Sequence, residues 1–193
     1  MEIIPLVVLE NQKIRDNPAY LKGKLGDINE GERIYILDLD GIEKDDPNLF
    51  LYQEMASYYD TWIDCGPRTG GAVLDVFMEG ATNITIRKNL CPSLNISDIR
   101  EISENKIYMN IDFEKQNSLG VDDLFLDSSD GLVNFNGKEK IEQNLRYTEY
   151  LSRVKDKTYC YESDAKNRFF WQQFGVQGLI VDLRKIKEFK NGF

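Results

Sequence analysis

The 193 residues contain no histidine. That excludes histidine-based triads, histidine metal ligands and the commonest general base together. Acid–base chemistry in this chain falls to carboxylates, lysine, cysteine or tyrosine. Cysteine is scarce: three residues, an odd number with no pairing rhythm, read as reduced thiols and imply a cytoplasmic protein. Basic residues are outnumbered, 24 Lys and Arg against 33 Asp and Glu, for a formal net charge of -9. Such a balance argues against nucleic acid or an anionic membrane as partner, since both need a basic face. Long apolar runs are also missing. Met1 to Leu9 is apolar but lacks a basic flank and is too short to span a bilayer, so it reads as a first strand and not as a signal peptide.

What remains is an ordinary globular composition, 41% hydrophobic and 30% charged, long enough for one domain over 1–193 with a sizeable core. The organising stretch runs from Arg33 to Arg68. A short apolar strand, Arg33 to Leu39, ends in Asp38-Leu39-Asp40-Gly41. A helix opened by Asp46-Pro47 follows to Tyr58, and the third strand, Thr61 to Asp64, ends in Cys65-Gly66-Pro67-Arg68. Two buried strands emerging into polar residues with a helix between them make a βαβ unit.

The pattern continues along the chain. Thr69 to Gly80 reads as an amphipathic helix, Asn83 to Arg87 as a fourth strand, and Ser97 as the cap of a short helix through Ile102. Ile107 to Phe113 and Asp123 to Asp127 read as the fifth and sixth strands, and Lys138 to Val154 as the longest helix. Thr158 to Tyr161 and Gly178 to Asp182 complete eight strands, with a helix over Lys166 to Phe174 between them. Eight strands alternating with helical connections predict an α/β fold, a compact (β/α)8 TIM barrel with abbreviated first and fifth crossovers. A doubly wound open sheet is the rival. The barrel is favoured because Glu79-Gly80-Ala81-Thr82-Asn83 before the fourth strand echoes Phe174-Gly175-Val176-Gln177-Gly178 before the eighth.

In such barrels chemistry sits at the carboxyl ends of the strands. Those ends carry many carboxylates, while basic residues cluster only after the third and fourth strands. Gly66, Arg68, Gly70, Gly71, Arg87 and Lys88 therefore form a candidate anion cradle, with Thr69 opening a helix whose first amides point outward. Asp112, with Asp38 or Asp127 opposite, is the candidate pair for proton transfer. The plainer reading is that many of these aspartates cap turns and helices. Cys65, Cys91 and Cys160 read as small buried hydrophobes, a nucleophilic Cys65 being the lesser alternative. Phe169-Phe170-Trp171 reads as helix–barrel core.

Ile3-Ile4-Pro5 before an apolar strand, Leu37-Asp38-Leu39-Asp40-Gly41, and Asp64-Cys65-Gly66-Pro67-Arg68 together resemble the opening half of the histidine-biosynthesis barrels. These are ProFAR isomerase and its cyclase relative, and the likeness is closest to their archaeal and methylotroph relatives. The resemblance implies an Amadori-type isomerase fold that needs no metal or other cofactor and takes a substrate with two phosphates. It places Asp112 as the counterpart of the family's second catalytic aspartate, and Asp130-Gly131 as its Asp-Gly after the sixth strand. The chain departs from the family at Val8, where the strand-one catalytic aspartate belongs. It departs again at Arg87-Lys88, Glu162-Ser163-Asp164 and Asp182-Leu183, which replace glycine-rich phosphate turns.

Two functions follow as expectations. One is an enzyme, an isomerase or lyase, acting on a small phosphorylated or acidic metabolite. The other is a barrel without catalysis, kept for binding or assembly, which Val8 and the absent glycine turns favour. A divalent-metal site among Asp38, Asp64, Asp112 and Asp127 is a third, weaker reading. The oligomeric state is left open by the sequence.

Overall fold

The computed structural model describes residues 1–15, 25–26, 28–111 and 128–191. Its strands are β1 (Glu2–Glu10), β2 (Lys13–Ile14), β3 (Arg33–Asp38), β4 (Asp60–Asp64), β5 (Asn83–Ile86), β6 (Lys106–Ile111), β7 (Gly131–Asn134), β8 (Thr158–Tyr161) and β9 (Gly178–Asp182). They form one sheet in the order β2-β1-β3-β4-β5-β6-β7-β8-β9, closed by a further pairing of β1 with β9. Apart from the two-residue β2, antiparallel to β1, this is a closed ring of eight parallel strands, the (β/α)8 barrel and not the open sheet.

One strand differs from expectation. Asp123 to Asp127 lies outside the described residues, and the ring's sixth place is taken by Gly131–Asn134. Part of the first crossover and most of the fifth also lie outside them. The described residues between β2 and β3 contain no helix.

The helices are α1 (Leu39–Lys44), α2 (Leu49–Ala56), α3 (Gly70–Met78), α4 (Ile96–Arg100), α5 (Lys138–Gln143), α6 (Leu145–Val154), α7 (Arg168–Phe174) and α8 (Ile186–Asn191). The expected long helix over 138–154 is broken at Asn144, whose extended backbone (φ -126°, ψ 103°) ends α5 while its side chain caps α6 by accepting from the Arg146 amide. Asn95, and not Ser97, caps α4. The echo between the two halves has a backbone basis. Gly80 and Gly175 each follow a helix in the left-handed region (φ 95° and 87°), three residues before β5 and β9 begin. An L side chain there would be strained, so glycine is the residue that turns the chain back to the sheet.

The chain divides into two compact units, Leu6–Ile107 and Met1–Pro5 with Tyr108–Phe193. In the first, parallel register sets Leu6 beside Tyr35 and Tyr35 beside Trp62, and Trp62 beside Asn83. These residues and their neighbours two further on share the inner face, while Ile34, Ile36 and Ile63 alternate to the helix side and are fully buried. In the second unit Tyr108, Gly131, Tyr159 and Gly178 share the inner face. A Cβ on Gly178 would stand 2.7 Å from the Tyr159 ring, so the large ring is accommodated by the missing side chain beside it. On its helix side Trp171 of α7 is fully buried, worth about 3 kcal/mol of apolar transfer.

Candidate functional site

Parity along each strand decides which aspartate faces which way. β3 presents Tyr35 and Leu37 inward, so Asp38 points to the helices. Its carboxylate is fully buried and committed. Oδ1 accepts from the Gly41 amide (3.2 Å) and Asn48 Nδ2 (2.8 Å), and Oδ2 from the Asn48 amide (2.8 Å) and the Tyr52 hydroxyl. Asp38 thus caps α1 and anchors the start of α2. The proton-transfer role expected for it is corrected: four donors surround an oxygen pair that never reaches the inner face. Asp40 is also turned to the protein. It accepts from Lys44 Nζ (2.7 Å) and from the Gln12 amide (3.0 Å), and the Lys44 bond, then the amide, hold its carboxyl well below the usual range. That amide belongs to the β1–β2 turn, where Asn11 and Gln12 both take left-handed backbone.

The next inner-face carboxylate is Asp64, on β4 in the layer of Leu37. Fully buried, it receives both arms of Arg87, Nε to Oδ1 at 2.8 Å and Nη2 to Oδ2 at 2.6 Å, and the Tyr35 hydroxyl at 2.9 Å. Thr85 Oγ1 lies 3.0 Å from the same hydroxyl and accepts from Trp62 Nε1 at 2.9 Å. Burial first, and the Asp64 charge second, push the Tyr35 phenol far up, so it stays a donor. A bidentate guanidinium–carboxylate pair fixes both planes. Arg87, with 18% of its side chain exposed, is therefore held rigidly at the end of β5, and Lys88 follows it, half-buried.

The rest of the expected anion cradle is redeployed. Arg68 donates from Nη2 to the Ile42 carbonyl (2.6 Å) and from Nη1 to the Gly66 carbonyl (2.8 Å), with Asp45 3.6 Å from Nε. It clasps the loop after β4 to α1, which corrects its reading as a ligand arginine. Gly66 takes left-handed backbone (φ 62°), and a Cβ there would meet Leu90 at 2.7 Å. Its glycine answers to chain packing. Gly70 and Gly71 open α3 as expected, under a Thr69 hydroxyl that accepts from the Ala72 amide at 3.1 Å. Asp112 and Asp127 lie outside the described residues.

In the second unit, Glu162 was expected among the carboxylates at the mouth. It sits on the helix side instead, buried, with Oε1 accepting from the Ser163 and Asp164 amides (2.8 and 2.9 Å) and Oε2 from Trp171 Nε1 (2.8 Å). A loop whose amides point at one spot is an anion nest. Here the chain's own carboxylate fills it. The inner face at these strand ends carries Tyr161, stacked on Phe135, and Asp182.

Sulfur chemistry is absent from this inventory. Burial, and then Asp64, push the Cys65 thiol up to about 12; burial pushes Cys160 up to about 12 and raises Cys91. The described residues include no group of three or more Cys, Asp or Glu side chains placed to hold a metal ion. Among them, too, no helix is long and apolar enough to cross a membrane.

No protein-family model and no curated protein matches the sequence. Among solved structures the chain is similar to that of CdNal from Clostridium difficile in complex with mannosamine, with a TM-score of 0.48 and 10% identity over 75% of this chain. The match covers 55% of that chain, little more than half its length. The fold assignment rests on the strand order itself.

Proposed function

We propose that this chain is a ProFAR isomerase-related barrel that binds a small phosphorylated or acidic metabolite over the ends of β4 and β5. The observation that carries this reading is Arg87. A guanidinium gripped by both oxygens of a buried carboxylate, backed by Tyr35 and Thr85, is oriented before any ligand arrives, so little rotamer freedom is lost on binding. Lys88 and the amides of Gly70 and Gly71 at the start of α3 complete the anion end, without Arg68. Asp112 and Asp127, the other candidates for proton transfer, lie outside the described residues. A thermal-shift screen over sugar phosphates and inorganic phosphate tests this: stabilisation that is lost in Arg87→Lys and in Lys88→Ala supports it, and a flat screen refutes it.

A second reading is a barrel that binds without catalysis. Val8 favours it, because it lies on the inner face beside Leu37 where the resemblance calls for a carboxylate, and a valine moves no proton. The resolved tyrosine and cysteine shifts point the same way: burial drives each of them upward, away from neutrality, and leaves no general base among them. Under either reading the ordinary isomerase reaction is lost, so the chain does not restore growth to a strain lacking ProFAR isomerase. Rescue at normal expression would overturn the role given to Val8.

A further inference from the structure

The inner face of β6 to β9 carries a second group of polar and aromatic side chains, in the other unit and independent of Arg87. Register orders them in levels. Asn110 pairs across to Val133 and Val133 to Tyr159; one level further toward the strand ends stand Phe135 and Tyr161, the latter beside Ile180; Asp182 tops β9. Phe135 and Tyr161 are stacked, 5.6 Å between centroids at 24°, and both are half-buried. Tyr161 donates its hydroxyl to Asp182 Oδ1 at 3.2 Å. Asp182 begins the turn Leu183–Lys185 without capping it, and among the described residues no cation and no other donor meets its carboxylate. Asn110 is buried on the same face, with 7% of its surface exposed.

Asp182 is half-exposed, and among the described residues only its Oδ1 is engaged, by Tyr161. The hydroxyl of Tyr161 is already donating, so what it and Asp182 offer a ligand is acceptors. Two stacked rings add a negative π surface beside that carboxylate. Of the neighbouring positive groups, Lys185 Nζ donates to the Ser163 carbonyl at 2.6 Å, and Arg184 is exposed. Acceptors, π faces and a net charge of -9 over the whole chain all favour one partner class.

We propose that the strand ends of β7 to β9 form a binding site for a small organic cation, an ammonium-bearing group seated on the Phe135–Tyr161 stack and bonded to Asp182, with the Asn110 carbonyl oxygen accepting from below. The site does not rest on the anion reading, and either can fail alone.

The test uses the whole chain and three ring probes of one size: cyclohexylammonium, cyclohexanol and cyclohexanecarboxylate. Calorimetry or NMR titration should show the ammonium binding at least about tenfold tighter than the alcohol, with the carboxylate not binding. Asp182→Asn, a half-exposed position where folding is checked by circular dichroism, should weaken the ammonium by about tenfold. Tyr161→Phe keeps the stack and should cost less than that. Amide shifts on titration should map to 134–136, 161–163 and 182–184. Equal binding of alcohol and ammonium, no saturation by the ammonium, or an Asp182→Asn variant that binds it unchanged would each overturn the proposal.

Discussion

Arg87 reaches across from the end of β5 and closes on both oxygens of Asp64, the last residue of β4, at 2.8 and 2.6 Å. The carboxylate is fully buried and the arginine side chain part-buried, 18% exposed. A pair of this kind adds little net stability over an apolar pair of the same volume, because desolvation offsets most of the attraction. Breaking it is another matter. Asp64→Leu leaves a guanidinium without its counter-charge and should lower the unfolding free energy by about 3 kcal/mol, read by urea denaturation. Asp64→Leu with Arg87→Met should recover much of that loss. A double variant as unstable as the sum of the singles would contradict the account of the pair.

Asp38 has a structural task, and it should behave so. Tyr52→Phe removes one charge-assisted donor from a fully buried site and should cost about 1.5–3 kcal/mol of stability. Asp38→Asn should be destabilising too. Neither should alter affinity for a phosphate probe in the folded protein, measured by calorimetry at a temperature well below the variant's Tm. Loss of phosphate affinity at unchanged stability would return Asp38 to the site.

The barrel was legible in the sequence because buried parallel strands are apolar on both faces, and runs such as Arg33–Asp38 and Gly178–Asp182 stand out from their polar ends. β7 was hidden by its brevity: Gly131-Leu132-Val133-Asn134 begins with a glycine after Asp130 and reads as a turn. The site was harder. An aspartate at a strand end looks the same whether it faces the mouth or caps the next helix, and the difference lies in one residue of parity. Asp64 shares a face with Trp62 and so turns inward, whereas Asp38 alternates with Tyr35 and Leu37 and turns out. The capping signal was present, Asp38 with Gly41 three residues on, but the glycine also suits a phosphate turn. Glu162 gave no signal at all, since its partner Trp171 is nine residues away on a helix.

Acid should act on the Asp40 contacts. Its pKa is depressed in the fold, by Lys44 and then by the Gln12 amide, so its contribution is fully present above the unfolded carboxylate range and is lost as pH falls through the lower folded value. Denaturation curves taken from pH 5 downward should show stability declining, and Asp40→Asn should flatten part of that decline. A variant with the same slope as the parent would show that the carboxylate is not linked to folding.

The thiols should be silent in the native state. With Cys65 and Cys160 raised to about 12, on the order of one molecule in ten thousand carries a thiolate at pH 8. Ellman's reagent should find neither of them until denaturant is added, when all three cysteines of the chain react. Rapid native labelling of Cys65 would revive the nucleophile reading.

The proposed site docks an anionic group on Arg87 and Lys88 at the ends of β4 and β5. Amide chemical shifts followed by NMR while a sugar phosphate is titrated into the labelled chain test this most directly. Saturating shifts are expected at 69–72 and 87–90, and Lys88→Ala should weaken them roughly tenfold. Shifts confined to 162–166 and 182–185, or no saturation anywhere, would contradict the claim.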